Sequence, residues 1–319
     1  MLLEKINLDE IKSASERLVG VATRTPLVRL NYPESDSEIY LKLENLQPIG
    51  SFKLRGAYNA IAMIGADELA KGVSTSSAGN MAQGVAWSAH KFGVSSEIFV
   101  PDHAPETKVD AITRLGGKVI KAPFATWWQS IIDHGYPEMN GTFIHPFLNS
   151  QVVTGNATVG LEILEDLPDV DSIIVPFGGG GLSLAIATAV GQLGSKATVY
   201  ASEVETAAPF SAALNANQPT TVEYTPSFVD GIGSTRVIDE IWQQASKLLS
   251  GSLVVSLQEI KESIAILANR NRVVAEGAGA SSVAAAVKAK NPGKTVCVVS
   301  GGNINTDTFI QIMAEINKG

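Results

Sequence analysis

The chain has 319 residues, of which 45% are hydrophobic and 18% charged, a balance typical of a folded globular protein and not of a disordered one. The formal net charge of −8 argues against a nucleic-acid-binding surface, because phosphate backbones are bound by clustered positive charge. The sequence contains one cysteine, Cys297, within an apolar run, so we expect a buried thiol and no internal disulfide. The N-terminus does not resemble a signal peptide and no run approaches the ~20 apolar residues of a membrane span, so we expect a cytoplasmic protein.

Strand-like and helix-like segments alternate along the chain. Ile11, Ala14 and Leu18 recur at helical spacing and predict a helix over residues 7–19, and alternation at 39–43 predicts a strand. The later predicted strands are 73–76, 96–100, 118–120, 143–147, 172–176, 198–201 and 295–299. The predicted helices among them include segments near 84–87, 105–115, 128–135, 182–193, 237–250 and 257–270. Strands separated by helices predict an α/β fold with parallel sheets and right-handed crossovers.

A helix predicted to follow the 39–43 strand places a lysine in an unusual setting. Ser51 is a favoured N-cap, so Lys53 falls in the first turn, where a cation opposes the helix dipole. Gly56, Ala57 and Ala60 lie near the same side and leave a nearly bare face that a flat group could approach. We therefore expect the pKa of this lysine to be lowered, against the ordinary alternative of a solvated surface lysine.

A glycine loop follows a predicted buried strand. Gly178, Gly179, Gly180 and Gly181 precede Leu182, which begins a helix. Consecutive backbone amides can converge there, and the helix N-terminus adds positive potential, so the loop predicts a phosphate site built from the backbone. The spacing does not fit the dinucleotide fingerprint GxGxxG. A tight turn without a ligand is the alternative.

A second polar loop, formed by Ser77, Ala78, Gly79, Asn80 and Met81, follows another predicted strand. The side-chain amide of Asn80 can donate a hydrogen bond to a phenolic oxygen, while a serine hydroxyl and helix-start amides suit a carboxylate. An ordinary capping loop is the alternative.

Four motifs in one order carry a family resemblance. Ser-Phe-Lys-Leu-Arg-Gly-Ala around Lys53 resembles the cofactor-lysine motif of fold-type II pyridoxal-phosphate enzymes, in the form used by threonine/serine dehydratases and serine racemases. The likeness extends from Arg24-Thr25-Pro26-Leu27, through the two loops, to Ser300-Gly301-Gly302-Asn303. It implies a tryptophan synthase β-like fold with two domains of parallel-rich twisted sheets flanked by helices and the cofactor in the cleft between them. By the same resemblance, 1–64 and 150–319 form the large domain, and 65–149 form a small mobile domain that carries the asparagine loop.

The resemblance also implies roles for individual residues. Lys53 is the catalytic residue and binds pyridoxal 5'-phosphate covalently; Asn80 contacts the ring oxygen, and Ser300 faces the pyridine nitrogen. The cofactor-binding residues implied are Phe52, Lys53, Asn80, Gly178, Gly179, Gly180, Gly181, Leu182, Glu276 and Ser300. The substrate-binding residues implied are Ser77, Ala78, Gly79, Asn80 and Met81.

Departures from the family pattern affect the expected substrate. Met81 replaces the usual histidine, and Ala78 stands where serine racemases carry a second acid/base serine, so elimination is favoured over racemisation. Asn156 replaces a usual glutamine, and Trp127-Trp128 replaces a smaller, more acidic segment. Core packing is one explanation of the tryptophan pair, and an altered pocket is another.

No metal site is expected. Glu203 matches a position where some relatives bind a cation, but Pro209 falls where those relatives supply another carboxylate. The histidines lack zinc-ligand spacing, and His145, before Pro146, is interpreted as structural.

The resemblance predicts a lyase that converts a β-hydroxy amino acid, L-threonine or L-serine first, to a 2-oxo acid and ammonia. The alternatives are a serine racemase, a 3-hydroxyaspartate- or phenylserine-type lyase, a β-replacement synthase, or a catalytically silent cofactor-binding paralogue. We expect a small amino-acid substrate, no nucleic-acid or membrane partner, and a homo-oligomer, either dimer or tetramer. Since the chain ends soon after its last predicted helix, we expect no appended regulatory domain.

Overall fold

The structure, a computed structural model, describes residues 3, 6–32, 37–290 and 292–316. The strands among these residues are β1 Leu27–Arg29, β2 Glu38–Lys42, β3 Val73–Ser76, β4 Ser96–Pro101, β5 Lys118–Ala122, β6 Thr142–Phe143, β7 Ser172–Pro176, β8 Thr198–Val204, β9 Gly251–Val255 and β10 Lys294–Val298. The α-helices are α1 Leu8–Arg17, α2 Lys53–Ala62, α3 Ala66–Leu69, α4 Asn80–Phe92, α5 Glu106–Arg114, α6 Phe124–Ile132, α7 Ser150–Asp166, α8 Gly181–Gln192, α9 Pro209–Ala216, α10 Asp239–Leu248, α11 Leu257–Ile266, α12 Gly277–Ala289 and α13 Thr306–Ile316. A 3-10 turn covers Glu44–Leu46, and a π-helical turn covers Leu267–Asn271.

The chain divides into two compact units, each with one sheet. The six-stranded unit comprises residues 24–51 and those from 159 onward, and the four-stranded unit comprises residues up to 23 together with 52–158. The α/β fold expected from the alternation of strands and helices is confirmed. The expected domain bounds, 1–64 with 150–319 and 65–149, concern which segments move together and stay a prediction.

The sheet of the six-stranded unit has the order β1-β2-β10-β7-β8-β9. Only the β1–β2 pair among these described strands is antiparallel. All five residues of β7 are buried, as expected for a central strand covered on both faces. Cys297 on β10 is fully buried, as expected, and burial raises the pKa of its thiol.

A buried ion pair lies in the same unit. The Nζ atom of Lys42, on β2, donates to Glu162 Oε2 at 2.6 Å and to the Thr25 carbonyl at 2.7 Å. Thr25 in turn donates its hydroxyl to Glu44 at 2.6 Å. Because both ion-pair partners are almost completely withdrawn from water, loss of either one would remove a buried charge–charge contact that water cannot replace.

The sheet of the four-stranded unit has the order β5-β4-β3-β6, with all pairs parallel. The carboxyl ends of its strands therefore meet at one edge, which is where such sheets bind ligands. The core combines strand residues such as Val73 and Ile98 with the inner faces of α2 and α4.

The predicted strand 143–147 is wrong after its first residue, because the strand β6 ends at Phe143. Pro146 has no N–H for a ladder, and the ring of His145 accepts the amides of Phe147 and Leu148 instead. Within the described part of the chain, no helix combines the length and apolarity needed to cross a bilayer.

Candidate active site

The helix α2 begins at Lys53, one residue later than a serine cap would place it. Its N-cap is Phe52, which makes no side-chain capping bond. The expected cap, Ser51, instead forms an antiparallel backbone bridge with Gly301 in the six-stranded unit. The Ser51 hydroxyl is buried and finds no hydrogen-bond partner among the described residues. The capping prediction was wrong because the backbone of this serine pairs with another segment.

The small residues on α2 allow other helices to approach, and this corrects the expectation of a bare face for a flat ligand. A Cβ atom on Gly56 would lie 2.7 Å from both the Val152 carbonyl and Asn156 Oδ1 of α7. A Cβ atom on Gly84 of α4 would lie 3.1 Å from the Lys53 carbonyl. Glycine is therefore used at these positions for close helix packing, which fixes the start of α2.

The amine of Lys53 has an unusual environment. Nζ donates a hydrogen bond of 3.0 Å to the Pro146 carbonyl and lies 5.3 Å from the centre of the Phe52 ring. The residue as a whole is only partly buried, but its amine is surrounded by protein, and this desolvation lowers its pKa to about 8. The shift has the expected direction, and its cause is burial.

The segment that carries the Pro146 carbonyl is organised by His145. Nδ1 of this ring accepts the amides of Leu148 at 2.9 Å and Phe147 at 3.3 Å, so the proton resides on Nε2, which donates to the Ile131 carbonyl at 3.1 Å. Burial, with a smaller effect of His134, lowers the pKa of His145 to about 3. The neutral ring therefore holds the turn that meets Lys53. Sequence reasoning noted the histidine but missed the Pro146 carbonyl.

The asparagine loop follows β3 at the carboxyl edge of the four-stranded sheet. The Ser77 amide donates to the Phe99 carbonyl at 3.0 Å, and the Gly79 amide donates to the Ser77 hydroxyl at 3.2 Å. The helix α4 then starts at Asn80. Residues 77–80 are half-buried, whereas Met81 is buried in the apolar core. Their assignment to substrate, Met81 included, stays a prediction.

The glycine loop connects β7 to α8 in the six-stranded unit. Gly180 has a φ of +81°, and a Cβ atom there would lie 2.6 Å from a methyl carbon of Ile241. The Leu184 amide is the first to bond back to the loop, to the Gly180 carbonyl at 3.0 Å. The amides of 181–183 form the first helical turn, which has no intrahelical carbonyl to bind. They are suited to an anion.

Close backbone approaches at Gly178 and Gly231 place the predicted residue Glu276 near the glycine loop. A Cβ atom on Gly178 would meet the Gly231 carbonyl at 3.1 Å, and one on Gly231 would meet the Glu276 carboxylate at 3.4 Å. Glu276 is the N-cap of α12, and its amide donates to the Gly301 carbonyl at 3.1 Å, next to the buried Ser300. Gly231 was not predicted, and its place in an irregular segment gave no periodic signal.

The comparisons with known proteins agree with this geometry. Residues 19–302 match the family model described as "Pyridoxal-phosphate dependent enzyme". The chain belongs to the pyridoxal-phosphate-dependent enzyme family. The resemblance inferred from the motifs is thereby confirmed, and with it the cofactor, pyridoxal phosphate.

The relatives of this pyridoxal-phosphate-dependent enzyme cover nearly all of its chain. It is 38% identical to the L-threonine ammonia-lyase of Thermotoga maritima, over 98% of this chain and 79% of that protein. It is 36% identical to the catabolic L-threonine dehydratase TdcB of Escherichia coli K12, over 96% of each. Among solved structures, maize serine racemase covers 98% of both chains with a TM-score of 0.85 at 28% identity.

Each unit, taken by itself, offers groups that fit one part of pyridoxal phosphate. The glycine loop supplies backbone amides at a helix N-terminus, which suit the phosphate. The four-stranded unit supplies a desolvated primary amine, which is the nucleophile that an aldehyde requires. The donor chemistry of this pyridoxal-phosphate-dependent enzyme therefore fits its cofactor.

The carboxylate of Glu203, considered above for a cation, is engaged by the protein. It accepts the amides of Phe210 at 2.8 Å and Ser211 at 2.7 Å and the Ser252 hydroxyl at 2.6 Å. Burial raises the pKa of this carboxyl. Within the ranges that the structure describes, no group of three or more His, Cys, Asp or Glu residues is placed to hold a metal ion.

Proposed function

We propose that this chain is a pyridoxal-phosphate-dependent ammonia-lyase that converts a β-hydroxy amino acid, L-threonine or L-serine first, to a 2-oxo acid and ammonia by β-elimination. The observation that carries the proposal is the likeness to two L-threonine lyases over at least 96% of the chain. The buried amine and the glycine loop supply the groups that this chemistry needs.

The residues that would hold the cofactor follow from the resemblance and from the donors described above. Lys53 would bind the aldehyde carbon, and the amides of Gly178–Leu182 would bind the phosphate. Asn80 would donate to the ring oxygen, with Phe52 and Glu276 lining the site. The Ser300 hydroxyl would face the pyridine nitrogen; unlike a carboxylate, it does not hold that nitrogen protonated.

Pyridoxal phosphate, when bound, is an electron sink for the negative charge that develops on the substrate α-carbon. Lys53 is the base that removes the α-proton. Its pKa of about 8 leaves about a tenth of the amine neutral at pH 7, far more than for an ordinary lysine. The Pro146 carbonyl accepts a hydrogen bond from Nζ and so orients the amine.

The balance of the reaction requires the β-hydroxyl to leave as water once the α-proton has been transferred to Nζ of Lys53. The released enamine takes up water and yields the 2-oxo acid and ammonia. Ala78 has a methyl group where a second acid would be needed to return the proton to the opposite face. Elimination is therefore favoured over racemisation.

We also propose a cytoplasmic homo-oligomer, dimer or tetramer, whose partner is a small amino acid and neither nucleic acid nor membrane. The acidic net charge of −8 supports the expectation that the chain does not bind nucleic acid.

The test is an assay of the purified holoenzyme with L-threonine and with L-serine. We expect 2-oxobutyrate or pyruvate to form together with ammonia in equal amounts. Serine racemase is the second candidate, favoured by the likeness to the maize enzyme, and it would give D-serine as the main product. A thioether formed from serine and a thiol would indicate a β-replacement synthase. No product from either amino acid, with cofactor bound, would refute the proposal for these substrates.

A further inference from the structure

An aromatic cluster emerges at the carboxyl edge of the four-stranded sheet. Phe124, Trp127, Trp128 and Ile131 recur at i, i+3, i+4 and i+7 and share one face of α6. Ile131 lies in the interior, whereas Phe124, at the helix start next to the end of β5, is 53% exposed. The stripe therefore runs from the core to the edge where parallel sheets bind ligands.

Trp127 lies beside each of the other two rings of this cluster. The centroids of Phe124 and Trp127 are 5.4 Å apart, and those of Trp127 and Trp128 are 6.2 Å apart. These separations are within the range of favourable aromatic pairs. Both tryptophans keep part of their surface exposed. A partly exposed aromatic surface of this kind is suited to contact with an apolar group.

The cluster is tied to the loop predicted to hold the substrate. Trp127 Nε1 donates to the Phe99 carbonyl at 3.1 Å, and the same carbonyl accepts the Ser77 amide at 3.0 Å. One turn further along α6, the hydroxyl of Ser130 lies 2.6 Å from that of Ser76. The helix α6 is thus attached directly to Ser76, the last residue of β3, and it shares the Phe99 carbonyl with Ser77, the first residue of the asparagine loop.

The charges at this edge disfavour an acidic ligand. The nine residues of α6 carry no charge. His103, whose ring lies 5.8 Å from that of Phe124, has the Asp102 carboxylate 3.2 Å from its Nδ1. Lys121 is paired with Glu106 at 2.7 Å. The two basic side chains named here, His103 and Lys121, each have a carboxylate beside them, so a second carboxylate on the ligand would meet negative charge at both places.

We propose that the aromatic cluster of Phe124, Trp127 and Trp128 binds an aromatic or bulky apolar group on the β-carbon of the substrate, so that the enzyme accepts β-aryl serines as well as threonine. The inference rests on the proposed function, because it concerns the side chain of a β-hydroxy amino acid. For L-threo-phenylserine the balanced reaction gives phenylpyruvate and ammonia, with the water lost in elimination taken up again in hydrolysis.

The test compares kcat/KM for L-threo-phenylserine, L-threonine and 3-hydroxyaspartate in the holoenzyme. We expect phenylserine to be turned over within about tenfold of threonine, and 3-hydroxyaspartate at least about tenfold more slowly than phenylserine. Trp128→Ala should lower the phenylserine/threonine ratio by about tenfold or more, and Trp128→Phe should restore most of it. Phe124→Ala, at an exposed position, should lower the ratio in the same direction without a loss of folding.

Trp87→Ala is the matched control. This tryptophan belongs to the same unit, on α4, with Lys91 Nζ 5.1 Å from its ring, and its removal should leave the ratio unchanged. A readout independent of turnover is inhibition by L-phenylalanine, which lacks the hydroxyl; its inhibition constant should rise in Trp128→Ala and stay constant in Trp87→Ala.

Four results would overturn the inference. Threonine turnover without phenylserine turnover, or a ratio that Trp128→Ala does not change, would exclude the cluster from the substrate site and leave the proposed function intact. A change of oligomeric state in Trp128→Ala by sedimentation, with the ratio constant, would assign the cluster to contact with a second copy of the chain. Failure of all three amino acids, and of L-serine, to react would refute the proposed function as well.

Discussion

The two units present different kinds of chemical group. In the six-stranded unit, the predicted phosphate site is a glycine loop without charged side chains, and its contacts to Gly231 and Ile241 leave no room for a Cβ atom. In the four-stranded unit, the groups at the sheet edge and on α2 are side chains: an amine, an amide, a hydroxyl and three aromatic rings. The first unit thus offers binding by the backbone, and the second offers proton transfer and selection by side chains. Substitutions in the second should change what is turned over, and those in the first should change how tightly the cofactor is held.

The largest effect is expected for Lys53→Ala. Loss of the buried amine removes both the covalent attachment and the base, so turnover should fall by at least about a thousandfold. Borohydride reduction of the holoenzyme should no longer yield a cofactor adduct on this helix. The circular dichroism spectrum should be unchanged, and Lys91→Ala, in the same unit, should keep full activity. Persistence of turnover in Lys53→Ala would remove the residue from the mechanism.

The buried ion pair of the six-stranded unit, between Lys42 and Glu162, should affect stability and not the chemical step. Lys42→Met removes the buried ion-pair partner that Lys42 provides to Glu162 and should lower the free energy of unfolding by about 3–5 kcal/mol. Lys71→Met, which removes an exposed partner of Glu68, should cost at most about 1 kcal/mol. Urea unfolding of both variants measures the difference. Equal effects would mean that the buried pair is not isolated from water.

The backbone character of the glycine loop can be tested with alanine. Gly180→Ala forces a side chain into a left-handed conformation and against Ile241, a strain of about 1–3 kcal/mol. We expect the dissociation constant for pyridoxal phosphate, measured by absorbance titration, to be about tenfold larger than in the parent chain. Gly191→Ala on the same helix meets no atom within 4 Å and should leave affinity unchanged while stabilising the helix by up to about 1 kcal/mol. Unaltered affinity in Gly180→Ala would argue against a phosphate site in this loop.

The reactivity of the Lys53 amine should depend on pH. In cofactor-free protein, labelling of Lys53 by an amine reagent should rise with pH and reach half its maximum near pH 8, because only the neutral amine reacts. Peptide mapping by mass spectrometry gives the profile, with exposed Lys71 in the same digest as the reference. A midpoint near that of Lys71 would show that the amine is not desolvated.

The last prediction concerns acid stability. Unfolded His145 takes up a proton near pH 6.5, whereas the folded residue stays neutral down to about pH 3. The unfolded state therefore binds more protons in this range, and the contribution of His145 to stability is lost progressively as the pH falls below 6.5. His145→Asn, which keeps an acceptor for the Leu148 amide, should flatten the decline of unfolding free energy between pH 6.5 and 3. Parallel profiles for the variant and the parent chain would show that this ring does not carry the effect.

Local patterns predicted most of the fold and the types of group at the site. The alternation of strands and helices predicted the α/β fold. The four consecutive glycines Gly178–Gly181 predicted the loop, because a run of glycines between a strand and a helix is typical of a tight backbone turn. The sequence could not show that Gly56 packs against Val152, since the partners of a small residue are set by the tertiary fold. For the same reason it could not show that Ser51 pairs with Gly301 instead of capping α2. The Pro146 carbonyl was missed because a backbone acceptor has no residue signature.

The single cysteine has a practical consequence for work on this chain. Cys297 is fully buried in the central part of the six-stranded sheet, with its Sγ 3.4 Å from the Ser282 carbonyl. A thiol that is both inaccessible and difficult to ionise reacts with a disulfide reagent only after the sheet opens. The rate at which the native enzyme reacts with such a reagent therefore measures how often this sheet opens. The measurement needs no introduced label.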